Sequence, residues 1–571
     1  MNRRETIRTG LVATALGPRL IDRTQGLPAP QMSPPRLSLS APVTPETFGA
    51  VGDGTTDDTA ALQAAVDAAA AARRPLQLNP GQYKVAGTIV VSTDQFQWSQ
   101  QAGAVIHCYG SAGPTIRFAG RTRPMAFLVV DGLRLVREVD AHRQPMVELG
   151  DANGLSYFTV QNVFLDGQSR LGDGIHLVSA YNGRLASVME TSVGGIGAVF
   201  RNDPSLNVGN ITFANWVNNA SPIMFFIQEY YGHPHNVINS LNFENCKHAL
   251  PSGGKFFASS AGLSGASGSG QVTVAAADGA NFAPSDWVVI IQQSTGFAWA
   301  DRVDHVLGDV IRLTGRLPFA IGPGDSVIAG RWHTVLGGAV SSVEVSLPHF
   351  ERVNGLLGAG GQGVRVLSPY LGTNVYRGAY LARSSQQWEI VGPRGALPPG
   401  GIVLHQANHP DNSRNAVRGA SLAEFGHEGS MIRADGGTAC YWSDRFQGTD
   451  VPLGVWHQDG TVAASQSRTP LLGPSGASRP VRMRSRGSLV ALVAQVTSDR
   501  TSGSATATVF RNGAPTSLSA ILDARAPSWV VSESEVGLEF RPGDAIDVRV
   551  STDVAWAPTS NDFDVTLYVS Q

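Results

Sequence analysis

The chain has 571 residues, a formal net charge of −2, 15% charged residues and 65 glycines. That length exceeds an ordinary domain but not a solenoid, and near-neutrality gives no electrostatic reason to expect nucleic acid or an anionic membrane as partner. The three cysteines, Cys108, Cys246 and Cys440, lack metal-site spacing and allow at most one disulfide, and no run reaches the ~18–20 apolar residues of a membrane span.

The first twenty residues carry Arg3-Arg4 and then a short, weakly apolar run. This resembles a twin-arginine export signal, which makes the protein an expected secreted or periplasmic one. Pro, Ser and Gln dominate up to about residue 42, the composition of a linker.

The next stretch, Phe48-Gly-Ala-Val-Gly-Asp-Gly-Thr-Thr-Asp-Asp-Thr-Ala-Ala-Leu-Gln-Ala-Ala-Val-Asp67, is a glycine-rich turn running into a helix. Gly49, Gly52 and Gly54 supply backbone freedom, and Thr56 or Asp57 can accept from the first free N–H groups. Leu62 and Val66 fall four apart on one face of an alanine-rich helix. Short alternating runs follow, broken by Pro80-Gly81 before Tyr83.

This run closely resembles the amino-terminal signature of the pectate-lyase-like superfamily of right-handed parallel β-helices. The family pattern F-G-A-x-G-D-G-x-x-D-D-T-x-A-h-Q-x-A is met by Phe48 to Ala65, and P-x-G-x-Y at the first coil by Pro80, Gly81 and Tyr83. The resemblance implies that the helix caps an open solenoid end and hides unpaired strand edges. It also implies that Asp53, Asp57 and Asp58 are turn and cap residues, with a direct chemical role as the lesser alternative.

From about residue 88, strand-like runs end in Asn or Gly and restart at irregular intervals of 23 to 30 residues, as from Ile175 to Ala198 and from Ile211 to Leu241. Such a period, carrying strands, indicates a solenoid with interior apolar columns. Near Lys255 the rhythm breaks into a Ser/Gly/Ala-rich segment and then short runs with turn signals, a small β-rich insertion. Its aromatics include Trp287, Phe297, Trp299 and Trp332. They either stack on sugar rings or form the insertion's own core, and Trp299 is the one taken as a substrate contact. Coils resume at Ala339, and the last ninety residues alternate with period two around an Asn512-Gly513 hairpin turn.

The expected fold is all-β: a right-handed parallel β-helix with an N-terminal capping helix, an inserted small β-subdomain and a C-terminal β-sandwich or jelly roll. Its expected parts are 1–42 (export signal and linker), 43–255 (first coils), 256–335 (insertion), 336–464 (second coils) and 465–571 (linker and sandwich).

The resemblance implies glycan substrates and two competing mechanisms. Hydrolysis needs one carboxylic acid and one carboxylate about the scissile bond. Elimination takes a proton next to a uronate carboxylate, with Arg or Lys as base. For hydrolysis, Asp173 in Gly172-Asp-Gly-Ile175 is similar to the Asp-Gly-Ile part of the polygalacturonase N-T-D-G-I motif, although Leu171-Gly172 replaces the Asn-Thr. The second candidate is Gln228-Glu-Tyr-Tyr-Gly-His-Pro-His-Asn236. There Glu229 is a candidate acid or base, His233 and His235 tune it, and Tyr230 and Tyr231 stack on sugar. Asp166 and Glu190 are runners-up, and Arg184 and Arg201 fill the basic or substrate-binding roles. His-x-His is a metal-pair spacing without a nameable third ligand, so no metal or cofactor is assigned.

The reading is therefore a secreted enzyme that cleaves a polysaccharide, with glycoside hydrolysis ahead of uronate elimination. The alternative is a non-catalytic, tailspike-like glycan-binding adhesin. A homotrimer is expected from that layout, and neither nucleic acid nor membrane is an expected partner.

Overall fold

The computed structural model describes residues 41–570 except 121, 202–207, 231–236, 253, 396, 399–400, 408, 419–428, 435–437, 444–449, 459–461, 472–479, 484–486, 497–500, 524–528 and 560–561. Successive coils each place one strand in an eleven-stranded sheet. The order follows the chain from Ile89–Val91, Ile116–Phe118, Pro145–Leu149 and Asp173–Val178 to Gly429–Ala434, and neighbours pair in parallel. The remaining coil strands pair in parallel as well, for example Leu155–Asp166 with Ala180–Thr191. This is a parallel β-solenoid.

Alternation along each strand decides what lies inside. Ile116 and Phe118, Val147 and Leu149, and Ile175 and Leu177 enter one continuous buried core. Residues in register on adjacent coils stack there, as Phe213 does on Phe243 at 4.8 Å with planes 6° apart.

One coil corner takes a left-handed backbone on eight successive turns. In register, the corner is occupied by Gly132, Asn162, Ser187, Asn215, Asn245, Leu347, Ser368 and Gly392, with φ between 49° and 79°. Gly and Asn tolerate this conformation, which explains their recurrence at strand ends. Neighbouring rungs are tied here: Asn245 Nδ2 donates to Asn215 Oδ1 at 2.9 Å.

The helix spans Thr59–Ala72 and buries Leu62, Ala65, Val66 and Ala69 in the same core as the first coils. The acidic residues before it are used by the backbone. Asp53 Oδ1 accepts from the N–H groups of Thr55 and Thr56, and Asp57 Oδ1 from that of Thr59 at 3.0 Å. The buried carboxylate of Asp58 reaches back to Val51 N at 2.7 Å and Gly52 N at 3.2 Å.

Between coils, six antiparallel strands form the insertion, from Phe256–Ser259 to Ser326–Gly330. The expected span ran to residue 335, but Trp332–Leu336 already pairs in parallel with Ile223–Ile227. Trp332 is thus a buried sheet residue and not an aromatic offered by the insertion. The insertion's strands are apolar on both faces. Trp287, Val289, Ile291 and Ala300 pack on the outward residues Val199, Phe226, Val335 and Leu357 of the eleven-stranded sheet. Val288, Ile290 and Trp299 turn to a second core with Phe319. The middle of the solenoid's outer face is therefore covered.

Past residue 450, antiparallel sheets of four and five strands contribute to one further buried core containing Trp456, Leu492, Val548 and Phe563. Among the described residues, no helix is long and apolar enough to cross a membrane.

Candidate functional site

A charged residue between two inward apolar ones must point outward from a strand. On the early coils this places Val90, Arg117, Glu148 and His176 in one outward row, each in register with the next. The row stays open at its start and runs under the insertion at Val199. Arg117, 41% exposed, donates from Nε to Glu148 Oε1 at 2.7 Å, and Arg201 Nη2 stands 3.8 Å from the other oxygen. Glu148 is 11% exposed between these two guanidinium groups.

Beside this row, the loop before Pro145–Leu149 carries His142 and Arg143 toward the insertion. Arg143 Nε lies 3.1 Å from Asp173 Oδ2, Nη2 lies 2.5 Å from Glu229 Oε2, and Nη1 donates to the Ala300 carbonyl at 2.6 Å. One guanidinium thus joins two early coils to a strand of the insertion. Arg137 donates from Nη2 to the Asp173 carbonyl at 3.0 Å behind it.

Both carboxylates are fully buried. Burial alone would raise Asp173, but the Arg143 charge, the bond to His176 and the Ile196 N–H hold it well below the usual carboxylate range. Burial raises Glu229, and Arg143 offsets this only in part, with Asp173 adding like-charge repulsion. A proton held by this pair therefore sits on Glu229. Carboxylates pushed apart in this way mark acid and base in an open cleft. Here they are sealed beneath the insertion by a shared arginine.

The accessible group is His142. It is 30% exposed and its Nε2 lies 3.0 Å from Oδ1 of Asp301, a fully buried residue on the insertion strand Ala298–Leu307. Backbone N–H groups of Arg302 at 2.8 Å and Gly315 at 2.5 Å donate to the same carboxylate and fix it. A carboxylate held this way selects the tautomer with Nε2–H, leaving Nδ1 to exchange a proton.

The structure brings Asp173, Glu229 and Arg201 to this region and separates the other expected residues from it. Glu190 points into the solenoid interior, where its Oε2 accepts from Asn218 Nδ2 at 2.5 Å, so substrate cannot reach it. Burial pushes its carboxyl up to about 8. Asp166 closes its own turn onto Gln168 N at 3.0 Å, on the other large sheet. Arg184 is exposed on that sheet too, in register with Thr159 and Thr212. Tyr230 stacks on Phe297 at 4.1 Å and Trp299 is buried in the insertion's own core, so the packing that holds the insertion occupies both. Tyr231, His233 and His235 lie outside the described residues. Among the described residues, no group of three His, Cys, Asp or Glu side chains has the arrangement of a metal site.

Sequence reasoning missed Arg117, His142, Arg143, Glu148 and Asp301. A signal existed for two of them: Ile116-Arg-Phe118 and Val147-Glu-Leu149 each put one charge between inward apolar residues. Asp301, 159 residues from His142, carries no local sign of its partner.

The early coils that carry the row, the loop and Glu229 are also where the family comparison falls: residues 44–255 match the family model described as rhamnogalacturonase A/epimerase, pectate lyase-like. That segment is a pectate-lyase-like domain. Arg117, His142, Arg143, Glu148, Asp173, Arg201 and Glu229 lie in that segment, and Asp301 and the backbone groups of Ala300, Arg302 and Gly315 lie in the insertion. No curated protein matches the sequence. Solved structures similar to it include the A-module of the mannuronan C-5 epimerase AlgE6 of Azotobacter vinelandii, at 12% identity and a TM-score of 0.41, covering 70% of this chain and 98% of that one. Another is PfbA, a surface adhesin of Streptococcus pneumoniae, at 10% identity and a TM-score of 0.43, with coverage of 76% and 96%. The enzymatically active domain of tailspike protein 2 of bacteriophage CBA120 is similar at 10% identity and a TM-score of 0.41, with coverage of 92% and 79%.

Proposed function

We propose that this protein processes an acidic polysaccharide laid along its early coils, by taking the proton next to a uronate carboxylate. The observation that carries this reading is the fate of the carboxylates. Hydrolysis needs two of them free to act on one glycosidic bond. Asp173 and Glu229 are both consumed by Arg143, and Glu148 lies between Arg117 and Arg201. What stays open is the start of the row, where the Arg117 guanidinium is 41% exposed and suited to a sugar carboxylate, beside a histidine oriented by a buried acid. In this mechanism His142 Nδ1 accepts the C5 proton while an arginine neutralises the carboxylate. Elimination follows if the C4–O bond then breaks, its oxygen leaving as a hydroxyl protonated by solvent. Delivery of a proton from solvent to the opposite face of C5 gives epimerisation instead, with His142 returning its own proton to water.

The test is incubation with a panel of uronate-containing and neutral polysaccharides, following reducing ends, ultraviolet absorbance of unsaturated uronates, and sugar configuration. His142→Gln is expected to lower turnover about 100-fold or more without weakening binding. Asp301→Asn is expected to lower it as well, since the imidazole then loses the carboxylate that orients it. Reducing ends without unsaturation, or full activity in His142→Gln, would overturn the reading. Binding with no reaction would favour the adhesin alternative. Export from the cytoplasm is part of this proposal, supported by the Arg3-Arg4 pair and tested by fractionation. The proposed trimer is tested by light scattering.

A further inference from the structure

A groove of about 340 Å³ opens between the helix Thr59–Ala72 and the strand Ile89–Val91. Val66, Ala70 and Val90 give it apolar walls, and Asp67, Ser92 and Thr93 supply polar groups. Gln63 makes it rigid. Its Oε1 accepts from Val90 N at 2.8 Å, and its Nε2 donates to Val90 O at 3.0 Å and to Asp67 Oδ1 at 3.1 Å. The exposed peptide of the first strand is thereby sealed, and the Asp67 carboxylate is fixed in place.

Val90 belongs to this groove and also to the outward row, where it is 36% exposed and in register with Arg117. Rungs of a parallel sheet lie ~4.8 Å apart, so Glu148 to Val90 is a straight path of about 10 Å. A polymer following the row past Glu148 and Arg117 runs over Val90 into the groove. A mixed lining with apolar walls and a few fixed polar groups suits a sugar ring, which has one apolar face and a hydroxyl edge.

We propose that this groove is a further subsite for the same polysaccharide, holding one or two sugar residues beyond those on the charged row. It rests on the reading of that row as the glycan-binding face. Its selectivity differs from that of the row. The exposed Arg117 attracts a carboxylate, whereas the exposed carboxylate of Asp67 repels one and accepts from hydroxyls. The groove therefore selects a residue that presents hydroxyls, either a neutral sugar or the uncharged edge of a uronate.

Affinity electrophoresis through gels containing polygalacturonate, alginate or xanthan tests this on the full chain. The variants are Asp67→Ala and Ala71→Trp, both at exposed helix positions lining the groove, with Arg117→Ala as a reference. In the gel that retards the wild type, each groove variant is expected to bind about tenfold more weakly. With fragments of that polymer too short to span row and groove, the groove variants should match the wild type while Arg117→Ala stays weak. Equal retardation of wild type and both groove variants would overturn the subsite and leave the row intact. No retardation of the wild type in any gel would overturn both. Should Ala71→Trp lower the melting temperature, Asp67→Ala decides alone.

Discussion

Glu190 offers a test that separates an interior structural acid from a catalytic one. Its carboxyl is fully buried in the solenoid, where burial first, and then the negative Asp173, raise it from 4.5 to about 8. Oε2 accepts from Asn218 Nδ2 at 2.5 Å. Oε1 and the Gly197 carbonyl both fall within 2.5 Å of the point where a Cβ on residue 174 would sit. Among the described residues Oε1 makes no hydrogen bond, and the amide of Gln keeps an oxygen that can accept from Asn218. Glu190→Gln therefore keeps shape and contacts and removes only the titration. A rise from 4.5 to about 8 corresponds to about 5 kcal/mol of lost stability once the group ionises. The sign follows from the raised folded-state value. The contribution is complete below 4.5 and is lost as pH climbs through about 8. At pH 7 the loss is already about 3 kcal/mol, accumulated at about 1.4 kcal/mol per pH unit. Urea denaturation of wild type and variant at pH 4, 5.5, 7 and 9 measures it. The two should coincide at pH 4 and diverge above it in favour of Gln, and the variant should keep full activity. A pH-independent difference, or loss of activity with stability intact, would refute the assignment.

Further outcomes follow from the packing. Arg143→Met leaves Asp173 and Glu229 buried without their shared cation and should cost about 3–5 kcal/mol. It should also speed protease cleavage between residues 256 and 330, less at pH 5 than at pH 8 because protonation of Glu229 relieves the buried charge; an unchanged cleavage rate would refute the clamp. Leu347 is 61% exposed with φ at 53° in a corner that Asn, Gly and Ser otherwise share, so Leu347→Asn should stabilise by about 1 kcal/mol, seen as a higher urea midpoint. Gly197→Ala would put a Cβ 2.3 Å from Glu190 Oε2 and 2.7 Å from the Met224 carbonyl, a cost of about 1–3 kcal/mol. A double-mutant cycle with Glu190→Ala should recover part of that loss, and strict additivity would refute the contact.

The solenoid was legible because its causes are local. Turns needing a left-handed residue recruit Asn and Gly at strand ends, as at Asn162, Asn215 and Asn245, and inward positions alternate as Ile116 and Phe118 do. The glycine-rich start was legible for the same reason, since Asp53 and Asp57 bond to backbone groups within three residues. Glu229 and Asp173 were noticed by composition and motif, but whether two carboxylates meet substrate or each other depends on what covers them. That cover is the insertion, packed on Val199, Phe226 and Val335 from three different coils. Glu190 misled because a charged residue suggests an exposed position, whereas its place two residues after the inward Val188 on one strand turns it inward.

What the sequence determined alone is the set of interactions closed within one coil: the turn acids, the corner conformations, the strand alternation and the break at the insertion. Only the tertiary structure decided which face stayed open, that Arg143 would bridge 86 residues to Glu229, and that His142 would find Asp301 across 159. The physical reason is that a strand's own residues fix which side chains point outward, whereas burial, partnership and charge at those positions are set by chain that returns from far away.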